Sequence, residues 1–114
     1  MVKVGINGFG RIGRIAFKVG ILKHSGDLEF TAINTSGSME ASSWAHLVNY
    51  DTAYGKFEKE VKAEEIKKAA EATDEDPQIG NLIVGGKKIP LLAQKDPAKI
   101  PWGKYGVEVV IEST

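Results

Sequence analysis

The 114-residue chain contains no cysteine, and that absence removes several kinds of chemistry together. Disulfides, thiolate metal sites and a thiol nucleophile are all excluded. The chain also lacks net charge: fifteen basic residues balance fifteen acidic ones, so nothing draws it as a body toward nucleic acid or an anionic membrane. Any phosphate binding must then be local and made by the backbone. No apolar run approaches the length of a membrane-spanning helix, and strand-like sequence starts directly after Met1, leaving no room for a leader. A cytoplasmic protein is the expectation. The length allows one small domain with a modest core.

What is present is concentrated at the start. A strand-like run from Val2 to Ile6 leads into Gly8-x-Gly10-x-x-Gly13, and Ile12, Ile15, Ala16, Val19 and Leu22 then recur at the spacing of one helix face. This is the pattern of a dinucleotide-binding turn. Gly8 permits the tight strand-to-helix reversal, Gly10 lets backbone approach a pyrophosphate, and Gly13 lets helix and strand pack closely, with free N–H groups facing the anion. With 13 glycines in the chain, the bare motif is weak, and a turn serving only chain reversal is the competing reading. The flanking strand and helix are the two contexts the dinucleotide reading requires.

The helix should stop at residues 23–26, with Gly26 as a left-handed cap. Leu28 to Ile33 reads as a second strand, parallel to the first and covered on both faces. The Asn34–Ser38 loop then lies at the carboxyl end of the sheet, where ligands bind open α/β folds. Ala41, Trp44, Ala45 and Val48, with Leu47 alongside, predict a second helix, and the phase of Trp44 makes it core. Residues 56–76 are densely charged with a thin apolar stripe, which reads as a solvated helix carrying a Glu64–Lys68 surface pair. Asp74, Glu75 and Asp76 are exposed and lack further spaced ligands, so no metal site is expected. Leu82 to Leu92 reads as a hairpin turning at Gly85-Gly86, with Pro90 at an edge or irregular position. Asp96-Pro97 looks like a cap and first-turn proline, and Val107 to Ile111 is the last strand. The fold class is α/β: a partial Rossmann-type, doubly wound, mostly parallel sheet with an edge β-hairpin.

Several stretches occur in an order that resembles one family. Gly5-Ile-Asn-Gly-Phe-Gly-Arg-Ile-Gly-Arg14, Ala32-Ile-Asn34, Ala45 to Asp51, Gly55-Lys-Phe57, Asp96-Pro97, Ile100-Pro-Trp-Gly103 and Glu112-Ser-Thr114 together resemble phosphorylating glyceraldehyde-3-phosphate dehydrogenase. The resemblance implies that residues 1–114 are the N-terminal part of an NAD(P)-binding domain, with the last strand beside the first. It implies an enzyme that oxidises and phosphorylates an aldehyde through a cysteine thioester, with a histidine assisting. Neither catalytic group has a counterpart here, since His24 sits at a helix end and His46 within a helical run. The chain alone is therefore expected to be inactive and to bind cofactor at most. Carried over residue by residue, Asn7, Gly8, Phe9, Gly10, Arg11 and Ile12 should line the pyrophosphate and adenosine ribose. Asn34 and Lys95 should lie near the adenine, and Ser113 and Thr114 should approach from the last strand. Arg11 also admits a plain reading as a surface charge at the helix start. Relative to the family, the region from Lys67 to Gly80 reads as an insertion.

Cofactor choice turns on Thr35. Many NAD-specific folds place a carboxylate at the end of the second strand, where it bonds the ribose hydroxyls and repels a 2′-phosphate. The resembled family commonly has aspartate after Asn34, so Thr35 is a departure. Hydroxyls and backbone donors at Thr35, Ser36 and Ser38 suggest dual NAD and NADP use, or an NADP preference. The opposing reading is that Asn34 and the backbone hold NAD well enough. Partners implied are the dinucleotide and either the remainder of a dehydrogenase or copies of the chain, the family being homotetrameric. A stand-alone binding or assembly module derived from the domain is the alternative from a different class.

Overall fold

A computed structural model describes residues 2–24, 26–50 and 60–114. Asp51, the Gly55-Lys-Phe57 stretch, Ser25 and the first residues of the 56–76 stretch lie outside the described residues. The chain runs β1 (Val2–Asn7), α1 (Arg11–Lys23), β2 (Leu28–Asn34), α2 (Ala41–Tyr50), β3 (Val61–Glu65), β4 (Gln78–Val84), β5 (Lys87–Leu92) and β6 (Val109–Glu112). Short 3-10 turns occupy Ala69–Glu71, Pro97–Lys99 and Trp102–Tyr105. The strands form one sheet in the order β3-β4-β5-β2-β1-β6. It is parallel from β5 to β6 and antiparallel across β3, β4 and β5. That is the expected α/β arrangement, with β6 beside β1 and an antiparallel hairpin turning at Gly85-Gly86.

β2 is covered on both faces, and that explains why Phe30, Ala32 and Ile33 are all apolar and buried. On one face Val4, Ile6, Phe30 and Ile33 pack with Phe17 of α1 and Trp44 of α2. On the other, Ala32 and Leu92 lie beneath Ile100 and Trp102, carried by the segment joining β5 to β6. Gly5 makes room there, because a Cβ at that position would fall 2.7 Å from the Trp102 ring. Asp96 caps the Pro97 turn as expected, its carboxylate accepting the Ala98 N–H at 3.0 Å.

The structure corrects several expectations. α1 does not bury the stripe of Ile12, Val19 and Leu22, which are 66%, 43% and 38% exposed. It buries Gly13, Phe17 and Gly20 instead. Phe17 and the two glycines form the contact face, and counting apolar side chains passes over the glycines, which let the helix lie against the turn and the Phe30 ring. Gly26 is not a left-handed cap; His24 closes α1 by donating its N–H to the Gly20 carbonyl, and positive φ is confined to five other glycines among the described residues.

Among its described residues, 60–76, the charged stretch contains no α-helix. Val61–Glu65 is a strand paired antiparallel with β4, and its first residue is held by Asn49, whose side chain both donates to and accepts from the Val61 backbone. Cross-strand pairing overrides the helix propensity of these residues. Glu64 accordingly meets Asn81 and Lys88 on neighbouring strands rather than Lys68. Pro90 lies on an interior strand, yet β5 pairs with β2 only at Leu91 and Leu92, so the missing N–H falls before that seam begins. The hairpin is also longer than expected, since β4 starts at Gln78.

Candidate functional site

β1 ends at Asn7 and α1 begins at Arg11, and the three residues between them form the sharpest feature of the sheet's carboxyl edge. Gly8 has φ +96°, a conformation that L side chains rarely adopt, and its N–H donates to the Asn34 carbonyl at the end of β2. Phe9 is buried: its ring meets Phe17 edge-on at 5.7 Å and Trp44 at 5.8 Å, which pins the turn to both helices. Only the Phe9 backbone faces outward, and Arg14 braces it with a 3.1 Å bond to the Phe9 carbonyl. From above, the Ser113 hydroxyl donates to the Gly8 carbonyl at 2.6 Å.

α1 then opens with no side-chain cap and no acidic residue in its first turn. Its first N–H groups and positive dipole end are left for an outside anion. Gly10, the residue before the helix, has nothing within 4 Å of where a Cβ would stand.

These features line a crevice of about 440 Å³ along the carboxyl ends of β1, β2 and β6. The structure brings Asn7, Gly8, Phe9 and Gly10 together with Asn34 and Thr35, and with Lys95, Ser113 and Thr114 on either side. Arg11 and Ile12, expected with them, are exposed at the helix start and do not line the crevice. Trp44, expected as core, is 5% exposed and serves as core and crevice wall together. Thr35 is oriented inward: its hydroxyl donates to the Leu92 carbonyl at 2.9 Å and accepts from the Gly37 N–H. The outward hydroxyls are those of Ser36 and Ser38, bonded to each other at 2.8 Å.

Glu112 and Gln94, which sequence reasoning missed, complete a row of polar groups beneath the crevice. Glu112, at the end of β6, accepts the Asn7 amide on both carboxylate oxygens at 3.1 and 2.9 Å. Asn34 donates to the Asn7 side-chain oxygen and to the Gln94 carbonyl, both at 3.0 Å, and its own oxygen accepts the Gln94 N–H at 2.9 Å. A row of polar side chains thus ties β6, β1 and β2 to the residues after β5. Hydrogen bonds from Asn7 and Thr114 hold the Glu112 carboxyl below its ordinary range. The register that sets Asn7 against both Asn34 and Glu112 is the cause, but it is a tertiary fact with no local sequence signal.

A second hollow of about 390 Å³ adjoins the first, sharing Gln94 and Lys95. Its outer wall is residues 69–74 of the expected insertion, joined to α2 where the Glu40 carboxylate accepts the Ala69 N–H at 2.7 Å. His24 faces Asp27 and the His46 ring lies tilted against Tyr50, and neither histidine lines the crevice.

A parallel sheet crossed at its carboxyl edge by a glycine turn, with an uncapped helix start opening on a crevice, defines a nucleotide-binding α/β domain. Comparison with known proteins agrees. Residues 2–114 match the family described as glyceraldehyde 3-phosphate dehydrogenase, NAD binding domain, and the chain belongs to that family. It is 42% identical to glyceraldehyde-3-phosphate dehydrogenase 1 of Bacillus cereus over 114 residues, covering 100% of this chain and 29% of that protein. Identity is 42% to dehydrogenase 1 of Bacillus subtilis (strain 168), covering 99% and 28%. It is 40% to the Bacteroides fragilis (strain YCH46) enzyme, covering 100% and 29%. The chain therefore spans under a third of the length of the curated relatives it matches.

Proposed function

We propose that the chain holds a nicotinamide adenine dinucleotide across this crevice, as the N-terminal part, residues 1–114, of the NAD(P)-binding domain of a phosphorylating glyceraldehyde-3-phosphate dehydrogenase. The observation that carries the reading is the uncapped start of α1 beside Gly10, whose empty Cβ position leaves a cradle of backbone N–H groups open to a diphosphate. The group fits the residues present. Backbone at Gly8, Phe9 and Gly10 would hold the diphosphate, Arg11 and Ile12 contributing main-chain N–H groups. Asn34, Thr35 and Lys95 would bound the adenosine end, and Ser113 and Thr114 the other side. When bound, the oxidised dinucleotide would supply the hydride acceptor for oxidation of a triose phosphate in the glycolytic direction, and its reduced form the hydride donor for the reverse, Calvin-type direction. The chain itself orients that cofactor, and with no cysteine nucleophile it should show no turnover alone.

Both NAD and NADP should bind, with NADP favoured. The absence of a carboxylate at position 35 supports this, together with exposed Ser36 and Ser38 and the Lys95 side chain, whose Cε lies 3.8 Å from a Cβ built on Gly37. The partners proposed are the remainder of a dehydrogenase or further copies of the chain, in the cytoplasm. Exposed Val109 and Val110 on the edge strand β6 support a packed neighbour along that edge, which is also what an assembly module would use.

Calorimetric titration with NAD⁺ and NADP⁺ tests the reading. Saturable binding of both is expected. Lack of binding at millimolar cofactor would sink the cofactor role, and tenfold tighter NAD⁺ would sink the NADP preference alone.

A further inference from the structure

The row of side chains beneath the crevice has a direction, and Glu112 and the Gln94 backbone set it from opposite ends. An ionised carboxylate only accepts hydrogen bonds, whereas an asparagine amide offers a donor end and an acceptor end. Because the Asn7 NH₂ group is turned to Glu112, its oxygen must face Asn34. Asn34 then presents NH₂ to Asn7 and its oxygen to the Gln94 N–H, a backbone donor that cannot reverse. Both ends of the row are thus fixed, one by a group that only accepts and the other by a group that only donates. The two amides between them have a single arrangement in which every contact is satisfied. Asn7 is 5% exposed and Asn34 4%, so a reversed amide would leave buried donors facing each other.

We propose that Glu112 is a positioning residue for the dinucleotide: by accepting from Asn7 it holds the Asn7 amide in register with that of Asn34, which Gln94 anchors, and the two amides floor the crevice. The proposal rests on the cofactor reading above. Glu112 itself is exposed and does not line the crevice, so it acts through Asn7 rather than on the ligand. The carbonyls of Asn7 and Asn34 belong to the same assembly, since Ser113 N–H donates to the former and Gly8 N–H to the latter, each at 2.9 Å. Those are main-chain bonds, and what reversal of the Asn7 amide spoils is its contact with Asn34, where two NH₂ groups would meet beside the turn that holds the diphosphate.

The test compares substitutions of opposite hydrogen-bonding character. Glu112→Gln keeps an acceptor for Asn7, and its NAD⁺ dissociation constant should stay within about threefold of the unaltered chain. Glu112→Lys places a donor-only group opposite the Asn7 NH₂ and should weaken NAD⁺ binding by about tenfold or more. Simple charge attraction predicts the reverse, because a cation added near a diphosphate would tighten binding. Glu112→Leu, which removes the acceptor without adding charge, should weaken binding in the same direction and serves if the lysine variant does not fold. A second readout is the side-chain NH₂ resonances of Asn7 and Asn34 in ¹⁵N-labelled, ligand-free protein. Both pairs should move in Glu112→Lys, although Glu112 touches only the first. Unchanged Asn34 resonances, or unchanged or tighter binding in the lysine or leucine variant, would overturn the positioning role alone. Absence of NAD⁺ binding by the unaltered chain would overturn the cofactor reading and this role with it.

Discussion

Gly13 on the first turn of α1 faces the carbonyl oxygen of Gly8 so closely that a methyl group there would overlap it, with the Ser113 hydroxyl only 2.9 Å from the same point. The obstacle is backbone and cannot swing away. Gly13→Ala must push α1 off the turn and should cost roughly 1–3 kcal/mol or more, as overpacking does. Urea denaturation would register this as a lower midpoint with an unchanged slope. A variant as stable as the parent would show that helix and turn are not locked together.

Gly10 is the opposite case, in the same motif. Its Cβ position is open and its φ of −74° suits any residue, so Gly10→Ala should leave stability within about 0.5 kcal/mol. The methyl group would occupy the space offered to the diphosphate, and NAD⁺ affinity should fall by about tenfold or more, the loss of a charged hydrogen bond. Calorimetry on a variant with unaltered thermal unfolding checks both halves.

Thr35 separates a packing role from a recognition role. Its hydroxyl is spent on Leu92 and Gly37 inside the fold. Thr35→Val should therefore lower stability by about 1 kcal/mol while leaving the ratio of NAD⁺ to NADP⁺ affinities unchanged. Replacing Ser36 and Ser38 together with alanine should alter that ratio instead. A change of ratio in the valine variant would return Thr35 to the recognition surface.

Acid should weaken the β3–β4–β5 wing. Lys88 and Asn81 hold the Glu64 carboxyl below its ordinary 4.5, and Lys67 holds that of Asp76 below 3.8. A carboxyl whose pKa is lower folded than unfolded adds stability that is complete above the unfolded value and is lost as pH falls through the folded one. The urea midpoint should thus be level above about pH 5 and decline below about pH 4.5. Lys88→Met should flatten part of that decline, and an identical acid profile would show that the pair contributes nothing.

Much of this organisation is legible along the chain, wherever a local rule governs it. Gly8, Gly85 and Gly86 adopt positive φ as their motifs demand, and the Asp96-Pro97 cap forms as written. What escapes reading depends on neighbours far away in sequence. Val61–Glu65 has the composition of a surface helix and becomes a strand because β4 and Asn49 offer it partners. The contact face of α1 is missed because glycines share it with Phe17. Glu112 joins the site through strand register, and Gln94 through its backbone bonds to the Asn34 side chain.

β5 meets β2 through just two residue pairs, Ile33 with Leu91 and Asn34 with Leu92. That short seam is the narrowest backbone join between the hairpin wing and the β2-β1-β6 half of the sheet, so amide protons on either side belong to separate opening events. Deuterium uptake in β3 and β4 should proceed as one block while β1 and β2 stay protected, and a ligand seated over Asn34 would slow both by clamping the hinge between them.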